Sequence, residues 1–160
     1  MKKLTLIILF LSLFLPKTHS QKEISVATGL NNNSIQLNIG YLLLYGTINI
    51  NYERVLKQYL WDKNISSFAK IGIGFFGNFG GTGGYTSAQL GILTGENKHH
   101  LEISGGVCLN VPKFGWGDDP IGFPIAANVG WRIQKPGNHF IFRLGAGLPE
   151  SIYFGLGFSF

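Results

Sequence analysis

Three patterns in this sequence have residue types and spacings that could do chemistry. The first is Gly72-x-Gly74-x-x-Gly77, which matches the letters of a dinucleotide-binding fingerprint. That fingerprint requires a helix N-terminus directly after the glycines, whereas more glycine and a turn signal follow here. Residues 77–84 also lack the Lys-Ser/Thr pair of a phosphate loop, so we interpret them as a flexible surface loop.

The second pattern is a histidine–glutamate pair. His100 and Glu102 are two residues apart in an alternating segment, so they share one face, and His99 lies beside them. Such a pair could orient a general base or begin a metal site. Because no third ligand follows at metal spacing, we predict a polar interior cluster with no metal, no cofactor and no catalytic residue.

The third pattern is a set of charges that all fall on one face of the predicted strands. Buried charges must be paired, so we expect the two acids of this set to form ion pairs with some of its three cations inside a barrel. The alternative is a narrow polar conduit, for which an eight-stranded barrel leaves little free bore. The set consists of Glu53, Lys70, Glu102, Arg132 and Arg143.

The elements that would position these residues are strands. Residues 34–160 divide into eight segments that have apolar residues at every second position and no helical period. In the last segment, Ile152, Phe154 and Leu156 alternate with Tyr153 and small residues. Each segment is close to the ~9–11 residues that a tilted strand needs to cross a bilayer. The segments are 34–41, 44–54, 68–76, 85–93, 100–111, 124–133, 140–147 and 151–160.

The face with glycine and polar residues is predicted to line the interior. An eight-stranded barrel is barely wide enough inside for side chains, and this face carries most of the strand glycines together with the charges. The opposite face carries the phenylalanines and branched aliphatic residues. We therefore predict an all-β fold, an antiparallel up-and-down transmembrane β-barrel of about eight strands with its apolar face toward lipid. A lipocalin-like soluble barrel with the faces reversed is the alternative.

Residues 1–20 have the pattern of a secretory signal peptide. Two lysines precede an unbroken apolar run, and proline and small residues follow it. Without this leader the formal charge falls from +5 to +2, because the leader's only charged residues are three lysines. We therefore expect no nucleic-acid partner. Residues 21–33 are predicted to be an N-terminal tail or a short extra strand, and 34–160 the barrel. The single Cys108 cannot form an internal disulfide.

The connections between segments assign the two ends of the barrel. The tight polar turns at 94–98 and 135–138 fall on one end, together with the longer link at 55–67. Short periplasmic turns and longer outer loops are typical of bacterial barrels, so we place this end in the periplasm. The outer end then carries 42–43, 77–84, 111–123 and 147–151. An aromatic girdle is expected at the periplasmic end, formed by Tyr52, Trp131, Phe140 and Phe160.

The longest outer connection carries candidate contact residues. Exposed aromatic side chains beside charges suit adhesion or contact with lipopolysaccharide, and an ordinary outer loop is the alternative. The candidates are Phe114, Trp116, Asp118 and Asp119.

Several motifs resemble a known family. They are Asn-Tyr-Glu-Arg at 51–54, the run at 93–102, Gly-Trp-Arg-Ile at 130–133 with Phe-Ile-Phe-Arg at 140–143, and a terminal Gly-x-Gly-x-Ser-Phe. Together they are similar to the small, OmpX-like outer-membrane β-barrel proteins of Bacteroidetes-type bacteria, over most of residues 34–160. The resemblance implies the barrel and an outer-membrane location, and it implies no activity.

The expected function is a structural or surface-interaction role, adhesion-like and without catalysis, in the bacterial outer membrane. Expected partners are outer-membrane lipid and lipopolysaccharide, the barrel-assembly machinery through the strand that ends at Phe160, and an external surface ligand. The alternatives are a membrane-embedded lipid A-modifying enzyme and a small pore. Such an enzyme needs a histidine near the outer leaflet, whereas His99, His100 and His139 map to the periplasmic end.

Overall fold

The computed structural model describes residues 29–62, 64–95, 98–111 and 124–160. The predicted signal peptide and most of the predicted tail at 21–33 lie outside the described residues. The outer-loop candidates Phe114, Trp116, Asp118 and Asp119 lie outside them as well. No helix in the described part of the chain is long and apolar enough to cross a membrane.

Eight antiparallel strands form one closed barrel in chain order, which confirms the predicted all-β, antiparallel up-and-down barrel of eight strands. A short 3-10 turn, Leu60–Asp62, follows the second strand. The strands are β1 (Asn33–Leu42), β2 (Tyr45–Lys57), β3 (Ile65–Asn78), β4 (Gly81–Thr94), β5 (His99–Val111), β6 (Ile125–Ile133), β7 (Phe140–Leu148) and β8 (Ser151–Ser159).

The barrel is closed by pairing between β1 and β8. Their register runs from Ser34 opposite Ser159 to Tyr41 opposite Ile152. The backbone of Asn33 and Phe160 extends this pairing, with N···O distances of 3.1 and 2.8 Å. Closure means that every strand has a hydrogen-bonded neighbour on both sides, so the barrel has no free edge strand. We call the end where β1 begins the Phe160 end, and the opposite end the Glu150 end.

The two faces of the sheet are as predicted from the alternation. On β8, Ile152, Phe154 and Leu156 are exposed on the outside, while Tyr153 and Ser159 are buried inside. The other seven strands repeat this arrangement. The exposed apolar side chains form a surface that we call the outer belt; its mid-barrel members include Ile35, Leu37, Ile39, Ile48, Ile50, Ile71, Ile73, Leu90, Ile103, Val107, Val129, Leu144, Phe154 and Leu156.

The interpretation of residues 77–84 as a flexible surface loop is wrong. Strands β3 and β4 continue through the segment, with Phe76 opposite Gly83 and Asn78 opposite Gly81, so that only Phe79 and Gly80 connect them. The sequence predicts a loop here because glycine has low strand propensity of its own. In the barrel, backbone pairing to the neighbouring strand holds them extended. The dinucleotide-binding fingerprint requires a helix after its glycines. Because strands occupy these positions instead, the Gly72-x-Gly74-x-x-Gly77 motif does not have the structure of a dinucleotide site.

At the predicted outer end, the connection expected at 77–84 is much shorter than predicted, whereas those expected at 42–43 and 147–151 are short, as predicted. At the Glu150 end, β1–β2, β3–β4 and β7–β8 are joined by two residues each. The β1–β2 turn has no turn-forming residue, and Leu43 adopts a positive φ of 52°. The link between β2 and β3 shortens to residues 58–64, because both strands extend beyond their predicted limits.

Interior aromatic rings lie directly opposite interior glycines. Tyr85 pairs in register with Gly74, and Phe68 pairs with Gly91. A Cβ added at Gly74 would meet Tyr85 Cζ at 2.7 Å and the Ile48 carbonyl at 2.8 Å. Each glycine therefore provides the room that a ring on the next strand fills. Phe68 and Phe76 are buried inside, so the expectation that the phenylalanines lie on the outer face is wrong for these two.

This packing predicts opposite outcomes for two glycine-to-alanine substitutions. Gly74→Ala should destabilise the folded barrel by about 1–3 kcal/mol, because the methyl group overpacks the interior against Tyr85 and the backbone. Gly105→Ala on β5 should be neutral or stabilising by up to ~1 kcal/mol, since a Cβ there meets nothing within 4 Å. Urea unfolding of both variants in the same detergent measures the difference. Equal stability of the two variants would contradict the packing described here.

Candidate functional site

The five charged residues predicted for the interior lie inside the barrel, each with about 1% of its surface exposed. The register places Glu53 on β2 directly opposite Lys70 on β3. It also places two cations, Arg132 on β6 and Arg143 on β7, directly opposite each other. Two neighbouring buried cations repel each other, so they are stable only if acidic side chains form ion pairs with them. We call these five residues the lumen charge cluster.

Glu102 on β5 is the centre of the cluster. Its Oε2 accepts a hydrogen bond from Arg143 Nε at 2.9 Å, and its Oε1 accepts one from Arg143 Nη2. The same Oε1 lies 3.4 Å from Lys70 Nζ. Glu102 therefore forms a bidentate pair with one cation and a second ion pair with another, the geometry in which a buried carboxylate is best compensated.

The second acid, Glu53, has fewer hydrogen-bond partners than Glu102. Its Oε1 accepts a hydrogen bond from Arg132 Nη1 at 2.5 Å. Its Oε2 has no hydrogen-bond partner among the described residues, and neither has Arg132 Nε. Arg132 also donates from Nη2 to Gln134 Oε1 at 2.5 Å. The Glu53–Arg132 pair therefore rests on one contact, whereas the Glu102–Arg143 pair rests on two.

The cluster is tied to the strands that close the barrel. Arg143 Nη1 donates to Gln36 Oε1 on β1 at 2.7 Å. The Arg143 guanidinium also lies over the ring of Tyr153 on β8, 5.3 Å from its centroid, within the range of a cation–π contact. One arginine thus connects β7 with β1, β5 and β8.

A sixth interior charge, Glu150, was not predicted. It lies in the two-residue β7–β8 turn, is 2% exposed, and points into the barrel. Its Oε1 accepts hydrogen bonds from Asn38 Nδ2 at 3.1 Å and Asn49 Nδ2 at 2.7 Å. A Cβ on Gly40 would collide with the Glu150 carbonyl, so glycine at that position allows the turn to fold inward. With Glu150, the described interior holds three acids and the three cations of the cluster.

Glu150 differs from the other two acids because no described cation lies within ion-pair distance of it. Amides supply the hydrogen bonds to its side chain, and the Thr47 hydroxyl lies 3.5 Å from its backbone carbonyl. Sequence alternation could not identify it, because a turn residue has no assigned face. One feature of the sequence could have suggested an inward-facing Glu150. It lies in a short turn directly before the closing strand, whose interior face carries mostly small residues.

Two substitutions at Glu150 test how this side chain is held. Glu150→Ala should destabilise the barrel by about 1–3 kcal/mol, because the buried amides of Asn38 and Asn49 lose their acceptor. Glu150→Gln keeps an acceptor oxygen and should cost clearly less. Denaturant unfolding of both variants against wild type gives the two values. A glutamine variant as unstable as the alanine variant would show that an unrecognised cation compensates the carboxylate.

A layer of apolar side chains packs inside the barrel on each side of the lumen charge cluster, beside other buried polar groups. At the Glu150 end, Phe76, Tyr85, Cys108 and Ala126 pack together. At the Phe160 end, Leu30, Phe68 and Leu93 do the same. The lumen charge cluster therefore lies between these two apolar layers. Side chains, and not an open channel, occupy this part of the interior.

The four residues of the predicted girdle lie toward the Phe160 end and point outward. Trp131, Phe140 and Phe160 are about half exposed, while Tyr52 is partly buried. The Tyr52 hydroxyl donates to Asn33 Oδ1 at 2.8 Å. The ring of His99 stacks on Trp131 at a centroid distance of 5.2 Å. These rings form part of one rim of the barrel.

His100 and Glu102 lie on the same interior face. His100 is buried, and its Nε2 lies 3.0 Å from the Gln134 carbonyl oxygen. Within the described ranges there is no group of three or more His, Cys, Asp or Glu that could hold a metal ion.

Searches with this chain against protein-family models, curated proteins and solved structures gave no match. The resemblance in sequence motifs therefore stays a prediction.

Proposed function

We propose that this chain is an integral outer-membrane β-barrel with a structural or surface-interaction role and no catalytic step. The observation that carries the proposal is the outer belt. All eight strands present large apolar side chains outward at most of their outward-facing positions, with Ile50, Ile73 and Phe154 each about half exposed. Contiguous apolar surface of this extent is rare in proteins that face water on all sides.

The distribution of charge supports the same orientation. A soluble barrel turns its apolar face inward and its polar face outward. Here Lys70, Arg132 and Arg143 are inside, where they need ion pairs, and no charged side chain interrupts the middle of the outer belt in the described strands. A polar interior inside an apolar outer wall is the pattern of a transmembrane barrel.

Strand length supports a membrane-spanning barrel as well. The eight strands have 9 to 14 residues, and a tilted strand needs ~9–11 to cross the hydrocarbon core. The aromatic rings toward the Phe160 end match the interfacial girdle of such proteins. The even number of strands puts both ends of the barrel chain at the Phe160 end, and the longest connection, 112–124, lies at the opposite end. Since longer loops are typical of the outer side, we place the Phe160 end in the periplasm.

The filled interior favours a scaffold over a pore. Both apolar layers and the inward-folded Glu150 turn occupy the space through which ions would pass. We expect purified protein in planar bilayers to produce no discrete conductance steps. Steady, voltage-independent steps that scale with protein concentration would contradict a packed interior and favour the pore.

The proposed contacts outside the cell lie on the loop between β5 and β6. The candidate contact residues proposed for lipopolysaccharide or an external ligand are Phe114, Trp116, Asp118 and Asp119. Strand β8, ending at Phe160, is proposed to engage the barrel-assembly machinery. Deletion of residues 113–119 should abolish surface binding while the barrel still assembles. Full binding by the trimmed protein would exclude this loop as the contact.

The described histidines do not favour the lipid A-modifying alternative. His99, His100 and His139 all lie at the Phe160 end, the proposed periplasmic side. We expect lipid A mass spectra from cells with and without the protein to be identical. A new acylation state that depends on the protein would overturn the non-enzymatic assignment.

Cell fractionation combined with a heat-modifiability gel tests the proposal. Expressed with its leader in a Gram-negative host, the protein should be found in the outer-membrane fraction. Unboiled samples should migrate differently from boiled ones, because a closed barrel resists the detergent. Recovery in the soluble periplasmic fraction would contradict the proposed location, and unshifted migration would contradict a stable closed barrel.

A further inference from the structure

Two neighbouring turns at the Glu150 end expose large apolar side chains. Leu43 and Leu44 form the β1–β2 turn, and Phe79 lies in the β3–β4 turn. Tyr41, on the outward face of β1, lies beside the first of these turns. All four side chains are between 64 and 84% exposed. We call these four residues the apolar rim.

A shallow groove of about 330 Å³ runs between the two turns. It is lined by the apolar rim together with Gly46 on β2 and Gly77 on β3, which are directly opposite each other in register. A Cβ added at Gly46 would be 3.9 Å from the nearest non-neighbouring atom, and one at Gly77 would be 3.5 Å away. The space above both glycines is therefore open, and it can accept atoms of another molecule.

The apolar rim continues the outer belt, and no charge interrupts it. Tyr41 follows Ile39 on the outward face of β1. Residues 34–52, around the first turn, and 71–94, around the second, contain no Asp, Glu, Lys or Arg. Turns that project into water are dominated by Gly, Pro, Asn, Asp and Ser. Three consecutive leucines at 42–44 favour apolar surroundings instead.

The distance of the two turns from the girdle places them within the apolar band of a membrane barrel. Tyr52 of the girdle is opposite Ile35 on β1 and Ile71 on β3. The turns begin seven residues further along these strands, after Leu42 and Asn78. At ~3.3 Å per residue and a tilt of ~35–45°, seven residues rise roughly 16–19 Å. The apolar band is ~25 Å tall, so both turns end before its far side.

The backbone of the two turns is largely paired within the protein. Asn78 Oδ1 accepts hydrogen bonds from Gly80 N at 2.8 Å and from Gly81 N at 2.9 Å. In the other turn, Leu42 and Tyr45 are partners in the strand register across a loop of only two residues. Unpaired backbone groups are costly away from water, and these contacts reduce their number at both turns.

We propose that acyl chains of the surrounding lipid leaflet cover the apolar rim and occupy the groove between its two turns. On the side formed by β1 to β4, the barrel then ends within the membrane. This inference rests on the proposed membrane location, and it adds which part of the Glu150 end is submerged. Contacts with partners outside the membrane are then confined to the other side of the barrel, where the chain between β5 and β6 emerges.

Spin labels in phosphatidylcholine vesicles test the proposal. The full chain carries the label at Leu43→Cys or at Phe79→Cys, each combined with Cys108→Ala. Labels at Lys57→Cys and Phe154→Cys in the same background are the references for water and for the outer belt. At positions 43 and 79 we expect loss of collision with a water-soluble nickel complex and frequent collision with oxygen, as at position 154.

The references distinguish failure of this inference from failure of the proposed location. Nickel access at 43 and 79 equal to that at 57, with 154 protected, would place the apolar rim in water while the barrel stays in the membrane. Nickel access at 154 as well would contradict the membrane location itself. Protection of 43 and 79 from both reagents would mean that protein covers the apolar rim. Deletion of residues 113–119, or dilution into more lipid, would then show whether the same chain or a second copy covers it.

Two leucine-to-arginine variants give a matched comparison. Leu44 and Leu56 are both exposed, but Leu56 lies beyond Tyr52, on the water side of the girdle in the proposed orientation. Leu44→Arg should lower the yield of heat-modifiable barrel in vesicles by about threefold or more, and Leu56→Arg should change it by less than about 1.5-fold. Yields are normalised to those in detergent micelles, which verifies that each variant folds. Equal normalised yields of the two variants would overturn the proposal.

Discussion

Glutamine in place of Glu102 should destabilise the folded barrel by about 3–5 kcal/mol, the cost of leaving a buried charge without its partner. Glu102 compensates both Arg143 and Lys70, which are about 1% exposed. The amide has nearly the same shape, so the loss reports charge compensation and not packing. Equilibrium unfolding in urea, in lipid vesicles or detergent, gives the free energy.

Glu53→Gln is the matched comparison. Glu53 contacts one cation through one oxygen, and its other oxygen has no described partner, so its replacement should cost less than that of Glu102. Adding Lys70→Met to Glu102→Gln should recover part of the loss, because one of the two uncompensated cations is then removed. A cost for Glu102→Gln no larger than that for Glu53→Gln would contradict the central role given to Glu102.

The second large effect is expected on the outer face. Under the proposed membrane location, Phe154→Arg should destabilise the barrel by ~2–4 kcal/mol, because an arginine would then face lipid near the bilayer midplane. Phe154 lies at the middle of β8, opposite Ile39 on β1 and Leu144 on β7. Its side chain contacts no interior group, so in water the same substitution would be nearly neutral.

Phe158→Arg is the control for depth. It changes the same residue type, on the same face of the same strand, but near the Phe160 end, where Phe158 lies opposite Phe140. The cost there should fall to ~0–1 kcal/mol, as expected near the interface. Folding yield into phospholipid vesicles and urea midpoints measure both variants. Equal behaviour of the two arginine variants would mean that the outer belt does not face a membrane.

The sequence predicted the barrel because its alternation is nearly unbroken. A period of two assigns each residue to a face, and the size of an eight-stranded barrel then decides which face is inside. Glu53, Lys70 and Glu102 could be placed inside because they lie between outward-facing aliphatic residues such as Ile71 and Ile103. Charges on one face of a closed sheet have each other as partners, so ion pairing could be expected without coordinates.

The remaining features depend on contacts between strands, which alternation does not contain. The interior position of Phe68 and Tyr85 requires glycine on the neighbouring strand, and that pairing becomes known only with the register. The strands through 77–84 could not be recognised, because glycine has low strand propensity and the partner strand supplies the order. Glu150 was missed because a turn residue has no face until the turn is seen to fold inward.

Spin labels in reconstituted lipid vesicles test most directly whether the outer belt faces lipid. The label is attached to Phe154→Cys or, as an exposed control, to Lys57→Cys, both with the buried Cys108 replaced by alanine. At position 154 we expect frequent collision with oxygen and almost none with a water-soluble nickel complex, and the reverse at position 57. Access of the nickel complex to position 154 equal to that at position 57, in protein shown to be folded, would contradict the membrane-embedded barrel.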